Sequence, residues 1–386
     1  MRIGLLGPSQ PSEFADLFGQ PAAAMPVGLG GTPVNLLARA LIDRGHHVTL
    51  LTCSPAVTEL NWWRSDAMDV GIVPWRARAR DRALTGFATE IRYLRKAALE
   101  SRVDVLHAHW TYEYALAALG TQTPTVVTIH DAPWAVLRHH RDAYRVIRLL
   151  MALRVRLRSP RLTAVSPYVG NQWQRSMGGS GRITVVPNIA HGYTGEPVGR
   201  VTGRILTVGN SDPLKNVADA LKAFQLARRS APELTMRLVG PGLEADGALA
   251  RSISASRGVA GIEFLGSLTH DALMTEMASA QLLLHPSLEE AQCMVLNEAL
   301  ASGLTIIAGE ESGGVPWSLA NGAAGMLVDV TSPIDMADAI LHLTRAPQAR
   351  QALRMEGLKL AADRYSASAV ASAYITVYEE ILGLQH

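Results

Sequence analysis

Short apolar runs alternate with amphipathic segments along most of the chain, and this alternation predicts strands joined by helices. The apolar run at residues 2–6 is typical of a buried strand. A helix is expected from Thr32, which suits an N-cap position, to Gly45, which suits the end of a helix. A second apolar run at 46–51 completes a strand–helix–strand unit, so we expect the chain to open with a parallel sheet.

The same alternation continues in two series. Further strands are expected in the first series at 103–109, 125–130, 162–165 and 183–186, and in the second at 204–208, 236–239, 262–265, 281–285 and 305–308. Helices are expected in the second series at 217–229, from about 294 to 303, and at 333–345, 348–364 and 368–382. A polar stretch with glycine and proline at 190–202 predicts a linker. We therefore expect an N-terminal domain at 1–190 and a C-terminal domain at 203–367.

Length and composition narrow the class of protein. The chain has 386 residues, of which 48% are hydrophobic and 18% charged, as expected for a folded protein of two domains. No apolar run reaches the roughly 18 residues that a membrane span needs, and the start is too short in apolar residues for a signal peptide. Cys53 and Cys293 form no metal or redox motif. We expect a cytoplasmic protein.

Charge is distributed unevenly, although the net charge is only +2. Lysine and arginine exceed aspartate and glutamate by nine among residues 1–200 and fall short by seven in the remainder. Opposed charges fit two domains with different partners, the basic one facing something anionic, but the asymmetry is equally consistent with no function.

Arginines concentrate in one segment of the basic half. Residues 135–161 contain eight arginines, and the first four recur at helical spacing, at Arg138, Arg141, Arg145 and Arg148. Apolar residues between them would complete a basic amphipathic helix, which can lie on an anionic membrane. The alternative is a solvated face on an ordinary core helix.

Two glutamates frame the segment that follows the strand at 281–285. Glu290 lies in a turn, and Glu298 lies eight positions later in a predicted helix, so about 12 Å of helical rise separates them. That distance exceeds the ~5–9.5 Å at which paired carboxylates cleave a glycosidic bond. It suits a ligand with hydroxyls at both ends and a phosphate bridge above a helix N-terminus, such as a nucleotide sugar. Each glutamate alone would more simply be solvated.

The segment resembles the E-x7-E signature of retaining glycosyltransferases of the GT-B fold, in the family-4-like group (glycosyl transferases group 1). The resemblance implies an α/β protein of two Rossmann-like domains that face each other across a cleft, with a last helix, about 368–386, packed back on the first domain. It assigns Glu290 to the donor sugar and Glu298 to the ribose hydroxyls. The intervening donor-binding residues would be Ala291, Cys293, Met294 and Val295, with Ala291 and Cys293 where the family usually has glycine beside the phosphates.

Other matches follow in the family's order. The paired Gly30 and Gly31 resemble the loop that approaches the donor or acceptor, although a tight turn is the simpler interpretation. His130 resembles the family's strand-end histidine near the reacting centre, whereas His107 and His109 are interpreted as structural. Lys215 matches the phosphate-binding lysine in a loop that begins at Gly209 and Asn210. There Asn210 stands where the family usually has an arginine. The resemblance thus gives His130, Lys215 and Glu290 catalytic roles.

Taken together, these matches predict a retaining hexosyltransferase whose co-substrate is a UDP- or GDP-linked sugar. We expect no cofactor and no metal, because the chain contains no Asp-x-Asp pair, and no nucleic-acid partner. The acceptor could be a sugar, a lipid-linked polysaccharide precursor or a small molecule, and the arginine face would add peripheral contact with the inner membrane face. The alternatives are a non-catalytic sugar-nucleotide-binding protein and a sugar-nucleotide epimerase on the same fold. A phosphorylase is disfavoured because no lysine stands in a context typical of pyridoxal phosphate binding.

Overall fold

A computed structural model describes residues 1–139, 141–158, 160–178, 181–196, 198–255 and 260–384 of the chain. The chain forms two compact units. Met1–Ile189 and the C-terminal residues from Ala367 form the first unit, and Ala190–Ser366 forms the second. Both units are α/β, as the sequence predicts.

The first unit contains an eight-stranded sheet in the order β3-β4-β2-β1-β5-β6-β7-β8. Its strands are β1 (Arg2–Leu6), β2 (His47–Ser54), β3 (Asn61–Arg64), β4 (Met68–Pro74), β5 (Val105–His109), β6 (Thr125–Ile129), β7 (Arg161–Ala164) and β8 (Thr184–Val185). All neighbouring strands pair in parallel except β3, which runs antiparallel to β4 at the edge. The parallel strands are almost entirely buried, as expected for a sheet covered on both faces.

Helices cover this sheet. They are α1 (Thr32–Ile42), α2 (Ala79–Leu84), α3 (Ala88–Glu100), α4 (Glu113–Ala118), α5 (Pro133–His139), α6 (Ala143–Leu157) and α7 (Pro167–Met177). Two 3-10 segments, Pro11–Phe18 and Ala22–Ala24, occupy the long connection between β1 and α1.

The second unit contains a six-stranded, fully parallel sheet in the order β11-β10-β9-β12-β13-β14. Its strands are β9 (Arg204–Val208), β10 (Thr235–Val239), β11 (Ile262–Gly266), β12 (Leu282–His285), β13 (Thr305–Gly309) and β14 (Met326–Val328). Its helices are α8 (Val217–Ser230), α9 (Ala248–Ala255), α10 (His270–Ser279), α11 (Met294–Ala301), α12 (Val315–Ser318), α13 (Pro333–Arg345) and α14 (Pro347–Leu360). The predicted helix at 348–364 is therefore α14 followed by a π-helical turn at Ala361–Tyr365.

The last helix, α15 (Ala367–Leu382), belongs to the first unit. Its buried residues Val370, Tyr374 and Tyr378 join the same apolar cluster as α1 and the central strands. Residues 385 and 386 of the predicted last helix lie outside the described residues.

The stretch predicted as a linker is packed against the second unit. Arg200 donates to the carbonyl groups of Ala280 at 2.7 Å and Gly303 at 2.7 Å, and the Tyr193 N–H donates to Ser302 Oγ at 3.1 Å. Polar residues can form such hydrogen bonds or remain solvated in a linker, so the composition of this stretch did not distinguish the two. The boundary between the units accordingly falls at residue 190.

Each sheet reverses its strand order once, between β1 and β5 in the first unit and between β9 and β12 in the second. In open parallel sheets, ligands bind beyond the carboxyl ends of the strands at such a reversal. These two points are therefore where functional residues are expected in each unit.

Candidate functional site

The loop after β9 sets the position of Lys215 at the reversal in the second unit. Asp212 caps a short turn at Pro213–Lys215, since its Oδ1 accepts a hydrogen bond from the Leu214 N–H at 2.9 Å. Asn216 follows with φ of 49°, in the left-handed region that asparagine tolerates, and leads into α8. The turn thus fixes the backbone from which the Lys215 side chain extends.

An ion pair joins this loop to the loop after β12. Lys215 Nζ donates to Glu290 Oε1 at 2.6 Å, and the glutamate side chain is only 12% exposed. The Leu288 N–H also donates to the Leu214 carbonyl at 2.8 Å, which holds the two loops together. The structure therefore brings two of the predicted catalytic residues into direct contact.

Neighbouring charges keep this pair ionised. Burial favours the neutral acid, but His285 and Lys215 together outweigh it and lower the pKa of Glu290 to about 2. Burial likewise opposes charge on Lys215, but Glu290 and Cys293 raise the pKa of the lysine above its usual value. At neutral pH the site therefore offers one ammonium and one carboxylate to a ligand.

The glycine-rich loop after β13 fixes the backbone of Glu290. Glu290 pairs with Gly313 in an isolated parallel bridge, and the Gly314 N–H donates to the Glu290 carbonyl at 2.8 Å. A Cβ at Gly314 would lie 2.3 Å from the Ala291 carbonyl oxygen, so only glycine allows this approach.

The four residues predicted to bind the donor between Glu290 and Glu298 surround the start of α11. Ala291 lies in the loop, Cys293 is the N-cap residue, and Met294 and Val295 form the first turn, where both are half-buried. The Cys293 side chain makes no capping hydrogen bond to this turn. Because N–H groups at a helix start attract anions, the turn can receive a phosphate close to Lys215.

Glu298 lies further along α11 and is 6% exposed. Its Oε1 lies 3.2 Å from Nε2 of His270, the first residue of α10. Glu298 is thus a buried, oriented carboxylate on the helix that begins with the predicted donor-binding residues Met294 and Val295. Its assignment to the ribose stays a prediction.

Asn210 and Gly209 shape the loop after β9. Asn210 Oδ1 accepts a hydrogen bond from the Asp212 N–H at 2.9 Å, so its amide oxygen stabilises the turn and its NH2 group is the end suited to an anion. The Gly209 N–H donates to the Val239 carbonyl at 3.0 Å, and a Cβ at Gly240 would lie 1.7 Å from the Gly209 carbonyl oxygen. The loop is therefore packed tightly against the end of β10.

In the first unit, β5 and β6 end side by side at a histidine cluster. His109 Nδ1 lies 2.9 Å from His130 Nε2, and the Trp110 ring stacks on the His130 ring with centroids 4.1 Å apart. Trp110 has φ of 66°, in the left-handed region that a bulky residue seldom adopts. Such strain is typical of functional sites, and it adds weight to the functional interpretation of His130.

The two contacting histidines are neutral. Burial lowers the pKa of His109 to about 3 and lowers that of His130 well below its usual value. His107 is structural, as the sequence suggested, because its nitrogens contact the hydroxyls of Tyr378 at 2.7 Å and Thr128 at 2.6 Å. The structural interpretation of His109 stays a prediction. Its Nε2 has no hydrogen-bond partner in the described part of the chain, and its other nitrogen contacts His130.

A cavity of about 270 Å³ opens beside this cluster, at the reversal between β1 and β5. Its lining residues are Pro8, Leu29, Trp75, Trp110, Glu113, Tyr114 and Arg148. Arg148 is 20% exposed, lies 3.4 Å from Glu113 Oε2 and stacks over the Tyr112 ring at 4.3 Å. The cavity is thus lined by two tryptophan side chains and by the ion pair of Arg148 with Glu113.

Gly31 is required by its packing near this cavity. Its φ is 103°, and a Cβ there would lie 1.9 Å from the Pro8 carbonyl oxygen. Gly30 also has positive φ, at 81°, but no atom lies within 4 Å of the place a Cβ would take. The close approach of the glycine loop is therefore to the β1 loop of the same unit, and its predicted contact with a donor stays a prediction.

The prediction that four arginines share one helical face is wrong. Arg138 lies in α5, Arg141 follows it, and α6 begins only after Asp142, whose side chain accepts a hydrogen bond from the Arg145 N–H at 2.9 Å. This N-cap starts a new helix, so the spacing across it does not continue. Arg145 also pairs with Asp142, and Arg148 points toward Glu113.

Sequence reasoning missed several residues of these sites. His285, at the end of β12, and His270 contact the two predicted glutamates. Trp75, Trp110, Glu113 and Arg148 assemble the first-unit cavity from four separate elements. The detectable signal was the strand-end position of His285 and of His109–Trp110, since strand ends at a reversal face the ligand.

Two family models match the chain. Residues 202–359 match the family described as Glycosyl transferases group 1, and residues 31–190 match Glycosyltransferase Family 4. The chain is 25% identical to the glycogen synthase of Mycobacterium tuberculosis, with 92% of each chain covered. It is 30% identical to the MMP alpha-(1->4)-mannosyltransferase of Mycolicibacterium hassiacum, over 48% of this chain and 44% of that one.

Solved structures share the fold over the whole chain. The sucrose-phosphate synthase of Thermosynechococcus elongatus has a TM-score of 0.77 at 17% identity, with all of both chains covered. Anabaena HepE, solved in complex with UDP, has a TM-score of 0.71 at 17% identity, covering 98% of this chain and 100% of that one. Both family matches together span most of the chain, which belongs to the family-4-like glycosyltransferases (glycosyl transferases group 1) of the GT-B fold.

Proposed function

We propose that this glycosyltransferase moves a hexose from a nucleoside-diphosphate sugar to an acceptor hydroxyl, with retention of configuration and without a metal ion. The observation that carries the proposal is the Lys215–Glu290 ion pair beside the first turn of α11, with Glu298 buried in the same helix. The first carboxylate suits the hydroxyls of the sugar, and the second suits the hydroxyls of the ribose. The lysine and the helix N–H groups between them suit the diphosphate.

The donor would bind along α11. Glu290 accepts hydrogen bonds from sugar hydroxyls, and its low pKa keeps it an acceptor at any physiological pH. Lys215 and the N–H groups of the first turn bind the diphosphate, while Glu298, held by His270, accepts from the two ribose hydroxyls. The family resemblance also assigns His130 a role at the donor sugar, and burial lowers the pKa of this imidazole well below its usual value.

The proposed chemistry needs no nucleophile from the protein. The acceptor oxygen bonds to the anomeric carbon on the face from which the diphosphate leaves, and the acceptor proton passes to a diphosphate oxygen. Lys215 and the first-turn N–H groups stabilise the negative charge that develops on the leaving group. Retention follows because the bond forms and breaks on one face.

The first-unit cavity is the proposed acceptor site. Tryptophan faces suit the apolar face of a sugar ring, and a volume of about 270 Å³ holds one such ring. Because Glu113 already neutralises Arg148, the cavity favours an uncharged polyhydroxyl group over a phosphate. The relatives named as glycogen synthase and mannosyltransferase likewise favour a hexose donor and a carbohydrate acceptor.

The test of this proposal is a donor screen. UDP- and GDP-linked hexoses are added to the protein, and the unfolding temperature and the release of nucleoside diphosphate are measured. A cognate donor should raise the unfolding temperature, because it binds only the folded state, and should be turned over with a glucan or mannan oligosaccharide. A non-catalytic binding protein would show the thermal shift without turnover, and an epimerase would convert the donor without releasing nucleoside diphosphate.

A second surface supports the proposed peripheral contact with membranes, in a revised form. Four apolar residues of α6 form one exposed stripe opposite its buried face, with exposures of 43, 52, 38 and 81% for Val146, Leu150, Leu153 and Leu157. At 100° per residue, Arg145 and Arg156 flank this stripe on one side and Arg154 on the other. An apolar stripe between arginines suits an anionic bilayer surface. No helix in the described ranges has the length and apolarity to cross a bilayer.

A further inference from the structure

His285, Glu290 and Cys293 form a cluster that the proposed donor site uses only in part. One ligand atom from each residue lies within 4.8 Å of the others. His285 ends β12 and is 1% exposed, Cys293 is the N-cap of α11 and is 6% exposed, and Glu290 lies in the loop between them. Ordered backbone on both sides thus directs an imidazole, a thiol and a carboxylate toward one point.

The His285 ring is incompletely satisfied. Neither of its nitrogens makes a hydrogen bond of good geometry within the described part of the chain, although Nε2 lies 3.3 Å from Glu290 Oε1. Buried polar groups are almost always well hydrogen-bonded, and the contact of His285 with Glu290 has poor hydrogen-bond geometry. A ligand between the imidazole, the carboxylate and the sulfur would satisfy the ring better than this contact does.

We propose that His285, Glu290 and Cys293 bind Zn²⁺ and that the bound ion blocks the donor sugar. Nitrogen, sulfur and oxygen ligands at about 2.0–2.3 Å are those of tetrahedral zinc, and such bond lengths place ligand atoms roughly 3–4 Å apart. Shifts on the order of 1 Å would therefore close the site. The thiolate and imidazole also favour Zn²⁺ over Mg²⁺ and Ca²⁺, which prefer oxygen ligands.

Zinc and donor would compete for one carboxylate. Zn²⁺ would withdraw Glu290 from Lys215, whose side chain is 31% exposed and can turn toward solvent. Thiolate and neutral imidazole are the forms of Cys293 and His285 that would bind the ion. The fourth position would hold water or a diphosphate oxygen. The blocking effect rests on the proposed function, whereas the metal site itself does not.

Metal binding is tested without any donor. Zn²⁺ is titrated calorimetrically into the wild type, Cys293→Ser and His285→Gln, with exposed His342→Gln on α13 as the control for adventitious surface binding. Each cluster variant should weaken Zn²⁺ affinity at least about tenfold, and His342→Gln should not change it. Co²⁺ should give the wild type a sulfur-to-metal charge-transfer band that Cys293→Ser lacks. Equal affinity in the wild type and Cys293→Ser, or no such band in the wild type, overturns the proposal.

Inhibition is tested on donor turnover. Turnover of each protein is measured relative to its own turnover without zinc, because Cys293 also lies in the proposed donor site. The Zn²⁺ concentration that halves this relative turnover should rise at least about tenfold in Cys293→Ser, which loses the thiolate. Equal inhibition of the two proteins overturns the blocking role. The protein could bind Zn²⁺ and show the charge-transfer band with Co²⁺, yet turn over no sugar nucleotide. That result would support the metal site and count against the proposed function.

Discussion

Single residues in the donor site carry charges that are buried but paired. Glu290 contacts both Lys215 and His285. These two neighbours outweigh the effect of burial and lower the pKa of Glu290 to about 2. Breaking a buried pair leaves an uncompensated charge, so each member of this group affects the others. Substitutions here should therefore be judged by which part of the donor loses affinity, not by loss of activity alone.

Lys215→Ala should weaken binding of the nucleoside diphosphate far more than binding of the nucleoside. A charge-assisted hydrogen bond contributes about 1.5–3 kcal/mol, which corresponds to roughly a tenfold to hundredfold rise in the dissociation constant. Calorimetric titration with the diphosphate and with the nucleoside measures both effects. Equal losses for the two ligands would show that Lys215 does not bind phosphate.

Glu298→Gln is the matched comparison for that experiment, because it removes a charge from the same site while keeping the shape of the side chain. It should weaken nucleoside and nucleoside diphosphate alike, since the ribose is common to both. Unchanged nucleoside affinity would remove Glu298 from the ribose site.

At the scale of elements, buried strands were the most predictable feature. β1 and β9 have the predicted bounds. Both faces of a parallel sheet are buried, so each of its strands is recognisable in the sequence as a short continuous apolar run. The edge pair β3 and β4 went unpredicted, since β4 contains Gly71 and ends at Pro74, and both interrupt a strand pattern. The basic segment was misjudged because an N-cap at Asp142 restarts the helix within an unbroken periodicity.

The strand ends of β5 and β6 should make the first unit sensitive to acid. The folded pKa values of His107, His109 and His130 all lie below the usual 6.5, so the unfolded chain binds protons that the folded chain excludes. Stability should therefore fall as pH drops below about 6.5 and continue falling toward pH 3, by up to about 1.4 kcal/mol per pH unit for each histidine.

Asp131 partly opposes this trend. Burial raises its pKa to about 6, so between about pH 6 and 4 the folded state binds its proton first, which offsets one histidine. Hydrogen exchange of β5 and β6 amides as a function of pH measures the net effect, and His130→Asn should reduce the slope. Stability of these strands that is constant from pH 7 to 5, or a His109 resonance that titrates near pH 6.5, would contradict the burial of neutral histidines.

The exposed stripe of α6 gives a prediction about membranes. Changing Val146, Leu150, Leu153 and Leu157 to serine should abolish flotation with anionic vesicles, because the apolar contact is lost while every arginine remains. Met355→Ser, an equally exposed apolar residue on α14, is the control and should float like the wild type. Wild-type protein that stays at the bottom of the gradient at low salt would rule the contact out.

In the whole molecule, the two units share one arrangement. Each contains a mainly parallel sheet that reverses its strand order once, and each has its candidate functional residues at that reversal. The proposed donor site could be located from the sequence, because Glu290 and Glu298 lie in one continuous segment and Lys215 lies in a loop with a recognisable pattern. The cavity that Trp75, Trp110 and Arg148 line could not be predicted, because these residues come together only in the folded chain.

The reaction proposed for this chain is metal-independent transfer with retention from a nucleoside-diphosphate sugar. Proton NMR of the anomeric signals during turnover of an α-linked donor reports which face of the sugar the acceptor attacks. The first product detected should carry an α linkage, and EDTA should not slow its formation. A β-linked first product would rule out retention, and turnover that EDTA abolishes would rule out a metal-independent reaction.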